Sequence, residues 1–451
     1  MISLDARRDW FEQLVQQGIA TVDEVDEQAW LSRRRSQARA ELGQLPLPTR
    51  KSESWRYTLL DGLLGQTFKP GNEEFQALLP EDIDDWLLED TRAYRVVFAN
   101  GRYVPGLKSF AELPAGVTIA SMRQVLRQQP EMLSIWFGQT ANHSQDVFTA
   151  LNTALMNDGL FVHLARDTIL DRPLEVVHLN LSMEQTALIQ PTNLLVLEQG
   201  ARAEIIEHYT STGDSVYFHN GVSEILLEEN ASLTQLRLQE ESPQAYHLHR
   251  SFVSQAAGSR YHSTAVALGA KWARQELQVR FQAENAECLT RGLYLVGKDQ
   301  FSEQHLDVQH NTPANSSEHL YKGILYGACR AVFDGRILVG QEAQKTEAHL
   351  NNHNLLLSRE ADVVTKPQLE IYADDVQCSH GTTVGQLEAE QLYYLRSRGI
   401  RQADAMKMLC SGFAAEIFAG MENETLREQV QNRLDTILAR ALDETSGDQH
   451  V

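Results

Sequence analysis

The stretches Gly200-Ala-Arg-Ala-Glu-Ile-Ile-Glu207 and Asn230-Ala-Ser-Leu-Thr-Gln-Leu-Arg-Leu238 follow one plan: a turn residue, an alanine, then a short strand pattern of period two. Ala257-Gly258 and Asn285-Ala286 continue the series, so positions 200, 230, 258 and 285 are 30, 28 and 27 residues apart. A period in this range without long helical patterns is typical of stacked β coils, that is, a β-helix or solenoid. A large β-sandwich with irregular strand spacing is the alternative, and the period alone does not decide between them.

Helical patterns flank this β region. On the amino-terminal side, Trp10, Phe11 and Leu14 have helical spacing, and Thr21-Val-Asp-Glu24 has the form of a capping box. An extended run at 94–99 ends at the turn signal Asn100-Gly101, and helical patterns return around 121–158. The patterns predict an N-terminal helical and mixed domain over 1–158, a β core over 159–387, a C-terminal helical domain over 388–442 and a flexible polar tail over 443–451.

The C-terminal domain carries two apolar stripes at helical spacing. The first consists of Leu392, Leu395, Ala403, Met406, Leu409, Phe413 and Phe418, and the second of Leu426, Val430, Leu434, Ile437 and Leu442.

The charge of the chain excludes several functions. Its 451 residues include 61 acidic and 40 basic side chains, which gives a formal net charge of −21. This balance argues against a protein that binds the nucleic-acid backbone, which usually has a basic surface. No apolar run reaches the length of a membrane span, and acidic residues interrupt the first residues where a signal peptide would be apolar. We therefore expect a cytoplasmic protein that binds neither nucleic acid nor membrane.

Nucleotide and hydrolase motifs are missing or incomplete. Gly292-Leu-Tyr-Leu-Val-Gly297-Lys298-Asp299 follows the phosphate-binding loop up to its last position, where Asp299 replaces the hydroxyl residue that would hold magnesium. The sequence also lacks the G-x-S-x-G and G-x-G-x-x-G patterns. We expect a plain β turn at 292–299 and no ATP binding by this chain.

Histidines and cysteines supply the remaining candidates for a site. The four cysteines, Cys288, Cys329, Cys378 and Cys410, are widely spaced and form no CxxC pair, so most are expected to be reduced, buried thiols. Six of the fifteen histidines lie between 305 and 380: His305, His310, His319, His349, His353 and His380.

Within that region, Cys378-Ser-His380 is the sharpest signal. On a strand, residues i and i+2 share a face roughly 7 Å apart, so the thiolate and the imidazole can reach one iron or zinc ion. Two ligands do not complete such a site, and a buried thiol without function is the alternative. His349 and His353 are interpreted as surface polar residues, and His247-Leu-His249 as part of a solvated strand.

Several motifs resemble those of the SufB/SufD family of iron–sulfur cluster assembly proteins. They cover nearly the whole chain and are most specific from about 310 to 420. They are Glu53-Ser-Trp-Arg-Tyr-Thr58, Phe148-Thr-Ala-Leu-Asn152, Asp158-Gly159, His310-Asn-Thr-Pro313, Tyr321-Lys-Gly-Ile324, Ala343-Gln-Lys-Thr-Glu-Ala348, Asn354-Leu-Leu-Leu-Ser358, Pro367-Gln-Leu-Glu-Ile371, Asp374-Asp-Val-Gln-Cys-Ser-His-Gly381, Thr383-Val-Gly385 and Tyr394-Leu-Arg-Ser-Arg-Gly-Ile400.

Within the family, the sequence is similar to the SufD branch. The SufB branch carries a functional cysteine in a segment whose counterpart here is Ser358-Arg-Glu-Ala-Asp-Val-Val-Thr365, with Ala361 at the cysteine position. The resemblance implies a mainly β fold, a right-handed parallel β-helix with helical domains at both ends. It also implies a chain that lacks the sulfur-accepting cysteine and needs its sibling.

The resemblance further implies partners and site residues. Family members work with one SufB, two copies of the SufC ATPase and one SufD. Independently of the resemblance, the unpaired edges of a β-helix make self-pairing of the isolated chain as a homodimer physically reasonable. His380 is the implied ligand that faces the SufB cysteine, with Cys378 beside it, at a transient iron–sulfur cluster shared with SufB. Reduced flavin is associated with the complex. SufC is expected to bind the C-terminal domain through Leu392, Tyr394, Leu395, Ile400, Met406, Leu409 and Phe413, which also serve internal packing.

The leading hypothesis is therefore a non-catalytic scaffold subunit whose cluster forms at the interface with SufB. Two alternatives stay open at this point. One is a stand-alone metal-dependent enzyme that uses the histidines of 305–380, and the other is a purely structural solenoid binding module.

Overall fold

The structure, a computed structural model, describes residues 2–19, 28–70, 78–88, 92–141, 146–182 and 186–447. The predicted capping box at 21–24 lies outside these residues. The helices are α1 (Leu4–Ile19), α2 (Ala29–Leu42), α3 (Asp61–Leu64), α4 (Met122–Gln128), α5 (Pro130–Trp136), α6 (Val147–Leu155), α7 (Ala389–Ser397), α8 (Gln402–Phe418) and α9 (Glu424–Gly447).

The strands fill the middle of the chain. They are β1 (Lys69–Pro70), β2 (Tyr94–Ala99), β3 (Arg102–Tyr103), β4 (Val117–Ser121), β5 (Leu160–Leu164), β6 (Leu174–Asn180), β7 (Ala187–Ile189), β8 (Thr192–Leu197), β9 (Arg202–Ser211), β10 (Tyr217–Leu227), β11 (Ser232–Glu240), β12 (Tyr246–Gln255), β13 (Arg260–Ala267), β14 (Trp272–Phe281), β15 (Glu287–Val296), β16 (Phe301–His310), β17 (Ser316–Leu325), β18 (Arg330–Val339), β19 (Glu347–Leu356), β20 (Asp362–Ile371) and β21 (Gln377–Gly385).

These strands form a parallel β-solenoid of about eight turns, which confirms the predicted β-helix core. Each full coil gives one strand to each of two sheets. The first sheet runs β20-β18-β16-β14-β12-β10-β8-β5-β4, and the second runs β21-β19-β17-β15-β13-β11-β9-β6-β2-β3. Pairing along β9 to β21 is parallel, which excludes an antiparallel sandwich.

The turn residues recognised in the sequence shape the coils. Gly200, Asn230, Gly258 and Asn285 all have positive φ angles, at 72°, 58°, 64° and 62°. Glycine and asparagine reach this left-handed region at little steric cost. At Gly258, an added Cβ would lie 2.4 Å from Asn230 Oδ1 of the preceding coil, so a larger residue there would displace that side chain.

Helices cover the outer faces of both sheets. The amino-terminal helices α1, α2 and α6 pack on the first sheet through a cluster that joins Trp10, Phe11 and Phe148 to strand residues such as Phe218 and Trp272. Helices α8 and α9 pack on the second sheet, where Cys410, Ile417, Leu434 and their neighbours contact residues such as Leu236 and Leu295. The solenoid therefore buries its inner face against itself and much of its outer faces under helices.

The two ends of the solenoid differ. At the amino-terminal end, the short strands β3 and β4 pair antiparallel with β2 and β5. At the other end, β20 and β21 pair only with β18 and β19 among the described residues, and no further strand covers them. This second end is called the open end below.

Helix α9 continues to Gly447. It therefore includes the first part of the segment 443–451, which the sequence predicts to be a flexible tail. The predicted turn after residue 99 is present, because β2 ends at Ala99 and both Asn100 and Gly101 have positive φ angles. Among the described helices, none is both long and apolar enough to cross a membrane.

Candidate functional site at the open end

The open end is the most exposed part of the solenoid. Every residue of β20 and β21 is exposed or half-buried, whereas β10 is buried along its whole length. Ile371, Tyr372 and Val384 are 40%, 64% and 48% exposed there. A long strand edge with apolar side chains is a site for pairing with another chain. The geometry therefore marks the open end as an interaction surface.

Cys378 and His380 both lie on the inner side of β21 at this end. In the parallel ladder, Cys378 pairs with Ala348 and His380 with Leu350, and these two β19 residues are fully buried in the interior cluster. Side chains at paired positions point the same way, so the thiol and the imidazole lie over the interior cluster at the open end. Cys378 is half-buried and His380 is exposed, because no coil stacks above them.

The environment of Cys378 favours its neutral form. Burial raises the pKa of the Cys378 thiol, and a backbone hydrogen bond at Ala348 acts in the opposite direction. The other three cysteines are free and buried, as expected from the sequence. Cys378 is thus the cysteine with the greatest access to a ligand that approaches the open end.

The six histidines between 305 and 380 do not come together. His310 and His319 face the interior and bond Ser317 and Thr290, at 2.9 and 2.7 Å. His349 and His353 bond Ser379 and Thr383 on the outer side of the second sheet, as expected for surface residues. His305 approaches Arg274 on the first sheet. The enzyme hypothesis based on this histidine group is therefore not supported by their positions.

The prediction of a solvated strand at 247–249 is wrong. His247 and His249 are 1% and 0% exposed, and with His219 they form the one group of three or more potential metal ligands found among the described residues. The prediction is wrong because both faces of β12 are covered. One face lies against the interior of the solenoid, and the other packs against helices. His219 and His247 are 28 residues apart, which matches the spacing of the coils. This spacing is the sequence signal that could have placed the two histidines side by side on neighbouring coils.

The residues predicted to bind SufC lie on α7, α8 and the connection between them. No residue of α7 is buried, and Tyr394 is 58% exposed. The other six are half-exposed: Leu392, Leu395, Ile400, Met406, Leu409 and Phe413. Tyr393 and Met408, which the sequence analysis did not select, are 75% and 53% exposed beside them.

Part of this surface also packs internally. Phe413 joins the cluster between α8 and the second sheet, and its carbonyl accepts a 2.9 Å hydrogen bond from Lys322 Nζ. Four of the five residues of the second predicted stripe are buried: Leu426, Val430, Leu434 and Leu442 are at most 2% exposed, whereas Ile437 is half-buried. The turn predicted at 292–299 is present only at the end of that segment, since residues 292–296 belong to β15 and the turn follows at 298–299, where Asp299 has a positive φ angle of 61°.

Comparison with known proteins agrees with this architecture. The family model described as the SUF system FeS cluster assembly SufBD core domain matches residues 180–413, and that of the SufBD protein N-terminal region matches residues 6–176. The iron–sulfur cluster assembly protein SufD of Escherichia coli is 34% identical over 409 residues, which cover 89% of this chain and 93% of that protein. An iron–sulfur cluster assembly SufBD family protein of Synechocystis is 36% identical over 384 residues, which cover 83% of this chain and 84% of that protein. The chain therefore belongs to the SufBD family of iron–sulfur cluster assembly proteins.

Proposed function

We propose that the chain is a non-catalytic scaffold subunit of a cytoplasmic SufBCD-type complex, in which a nascent iron–sulfur cluster forms at the open end of its solenoid. The observation that carries the proposal is the position of Cys378 and His380, two metal-ligating side chains on one face of the uncovered last coil. Their exposure distinguishes them from the buried thiols and imidazoles elsewhere in the chain.

The open end supports pairing with a SufB subunit. An exposed parallel edge offers main-chain hydrogen bonds to an added strand, and its apolar side chains gain by burial. The inner residues Val363, Leu369 and Cys378 are only partly buried against the interior cluster, so a partner coil would complete that core. The same edge can pair with a second copy when the chain is alone.

The chemistry at this interface needs both subunits. Iron usually takes at least three protein ligands, and Cys378 with His380 supplies two. The neutral imidazole is a borderline ligand suited to iron, and thiolates hold iron in iron–sulfur clusters. Positive charge from bound iron would favour the thiolate over the thiol whose pKa burial raises. The remaining ligands and the sulfur would come from the partner.

The C-terminal helices support docking of a SufC-type ATPase. Helix α7 has no buried residue, and its side chains Tyr393 and Tyr394 are exposed, as is Met408 of α8. Tyrosine and methionine are enriched at protein interfaces. Since α8 packs directly on the second sheet, a movement of the docked ATPase would reach the solenoid through these helices.

Replacing His380 with alanine is expected to lower the yield of clusters by at least about tenfold, which corresponds to ~1.4 kcal/mol. The reason is the loss of one of only two ligands from this chain. The measurement is cluster absorbance after reconstitution of the chain with SufB and SufC partners, iron and a sulfide source. Complex assembly is checked by size-exclusion chromatography.

His349→Ala is the matched control for His380→Ala. His349 lies on the neighbouring strand at the same end, but its ring bonds Ser379 on the outer side at 2.7 Å. This variant should keep the wild-type yield. A wild-type yield from His380→Ala in an assembled complex would refute the assigned role.

Replacing Tyr394 with aspartate is expected to weaken SufC binding by about thirtyfold, since a buried aromatic at an interface is often worth ~2 kcal/mol. The dissociation constant can be measured by titration with the purified ATPase. Ile135→Asp is the control, because Ile135 is 59% exposed on the distant helix α5. Equal affinity of wild type and Tyr394→Asp would remove α7 from the docking surface.

A further inference from the structure

Three buried imidazoles meet inside the early coils of the solenoid. His219 lies on β10, and His247 and His249 lie on β12, all at most 1% exposed. One ring nitrogen of each lies within 4.8 Å of those of the other two. The rings of His219 and His247 are stacked with centroids 4.7 Å apart. This group, called the histidine triad below, is remote in sequence from Cys378 and His380.

The register of the two strands creates a space beside the triad. His219 pairs with His247, and Gly221 pairs with His249. Of these four neighbouring positions, three therefore carry imidazoles and the fourth carries no side chain. A Cβ at Gly221 would lie 2.5 Å from His249 Nδ1 and 2.7 Å from His219 Nε2. Any larger residue would fill the room into which these nitrogens point.

The triad leaves ring nitrogens without hydrogen bonds. Neither ring nitrogen of His219, nor Nδ1 of His249, has a hydrogen-bond partner among the described residues. Burying polar nitrogens without partners costs free energy. A metal ion would take the lone pair of one nitrogen on each ring.

Two further contacts hold the second nitrogens of two of the rings. The three rings are nearly parallel, at 3°, 20° and 18° to one another, so they must turn for their lone pairs to reach one shared ion. Glu241 Oε2 lies 2.7 Å from His247 Nδ1, which leaves Nε2 of that ring as the ligand atom. Ser223 Oγ lies 2.9 Å from His249 Nε2, which leaves Nδ1 free. Ligating histidines commonly have their second nitrogen bonded to a carboxylate or another polar group in this way.

The groups packed around the triad are His178, Tyr209, Glu207, Glu241 and Arg237. The carboxylate of Glu241 supplies negative charge beside His247, and Arg237 forms an ion pair with Glu207 at 3.7 Å.

We propose that the histidine triad is a buried binding site for one divalent transition-metal ion of the zinc class, held by His219 Nε2, His247 Nε2 and His249 Nδ1. Imidazole suits such ions, and three histidine ligands are a known set for zinc. The site is separate from the open end, so the proposal does not depend on the proposed function.

The test uses the full-length chain with Cys378→Ala and His380→Ala, which removes the other candidate ligands. The protein is unfolded, stripped of metal with a chelator, and refolded with Co²⁺ or Zn²⁺, because a buried site fills most readily during folding. We expect one cobalt per chain after dialysis, visible absorption bands of nitrogen-ligated cobalt without thiolate bands, and a higher Tm than the metal-free protein. Refolded protein without stoichiometric metal overturns the proposal, whatever the behaviour of the variants.

Two variants locate the ion. Gly221→Ala keeps all three imidazoles but fills the space between them, and His219→Gln removes one ligand. Each should weaken binding by at least about tenfold. His262→Gln is the control, since His262 bonds Glu287 at the surface with 39% of its side chain exposed. Undiminished binding by a folded Gly221→Ala or His219→Gln protein, judged by circular dichroism, also overturns the proposal.

Discussion

Replacing Arg274 with methionine is expected to lower the free energy of unfolding by about 3–5 kcal/mol, because it leaves a buried carboxylate without its cation. Arg274 and Glu303 are 1% and 2% exposed, and Arg274 Nη1 lies 2.6 Å from Glu303 Oε1. The same guanidinium lies 4.0 Å from the centre of the Trp55 ring. Thr58 links the pair to the N-terminal region: it accepts from Arg274 and donates to Glu303.

This prediction is checked by denaturant unfolding followed by circular dichroism and tryptophan fluorescence. The double variant Arg274→Met/Glu303→Met should be less destabilised than Arg274→Met, since it removes the stranded charge as well. Arg401→Ala is the surface control: its ion pair with Asp404 is highly exposed and should contribute at most about 1 kcal/mol. A loss below ~1 kcal/mol for Arg274→Met would contradict the structural role of the pair.

Replacing Phe333 with alanine is expected to cost about 3–5 kcal/mol, the usual effect of deleting a buried aromatic ring. Phe333 is fully buried in the interior cluster, and its ring centroid lies 4.9 Å from that of Tyr321. It pairs with Thr365 of β20, so it supports the coil that carries the open end. Because each coil contacts mainly its neighbours, the damage should be local.

Hydrogen exchange can test both the size and the location of this effect. Amides of β18–β21 should lose more protection than those of β9–β12, since the C-terminal coils depend directly on Phe333. Met408→Ala, at a 53% exposed position, should change stability by no more than about 0.5 kcal/mol. Equal loss of protection along the whole solenoid would show that the coils unfold as one unit.

Much of the fold was readable from the sequence because its signals are local. Turns at Gly200, Asn230, Gly258 and Asn285 require a backbone conformation that few residue types adopt readily, and those types were present at a regular spacing. The period of the stripe from Leu426 to Leu442 likewise predicted an apolar helix face, and four of its five residues are buried. Motif resemblance indicated the family, which the matches over 6–176 and 180–413 confirmed.

The candidate site was only partly readable. Cys378 and His380 are two residues apart on one strand, so their shared face follows from strand geometry. Their access to solvent depends on β21 being the last strand of its sheet, which no local pattern reports. The same strand in the middle of the solenoid would be covered on both edges.

The sequence by itself determined the turns, the strand patterns and the flanking helices, since each depends on residues close together in the chain. Only the tertiary structure decided which histidines meet and which strands stay uncovered. His219 approaches His247 and His249 because consecutive coils stack in register, and histidines 305–380 separate because they lie on different faces of two sheets. A period-two sequence pattern shows that the two faces of a strand differ. Which helices and coils cover each face is decided by the tertiary packing.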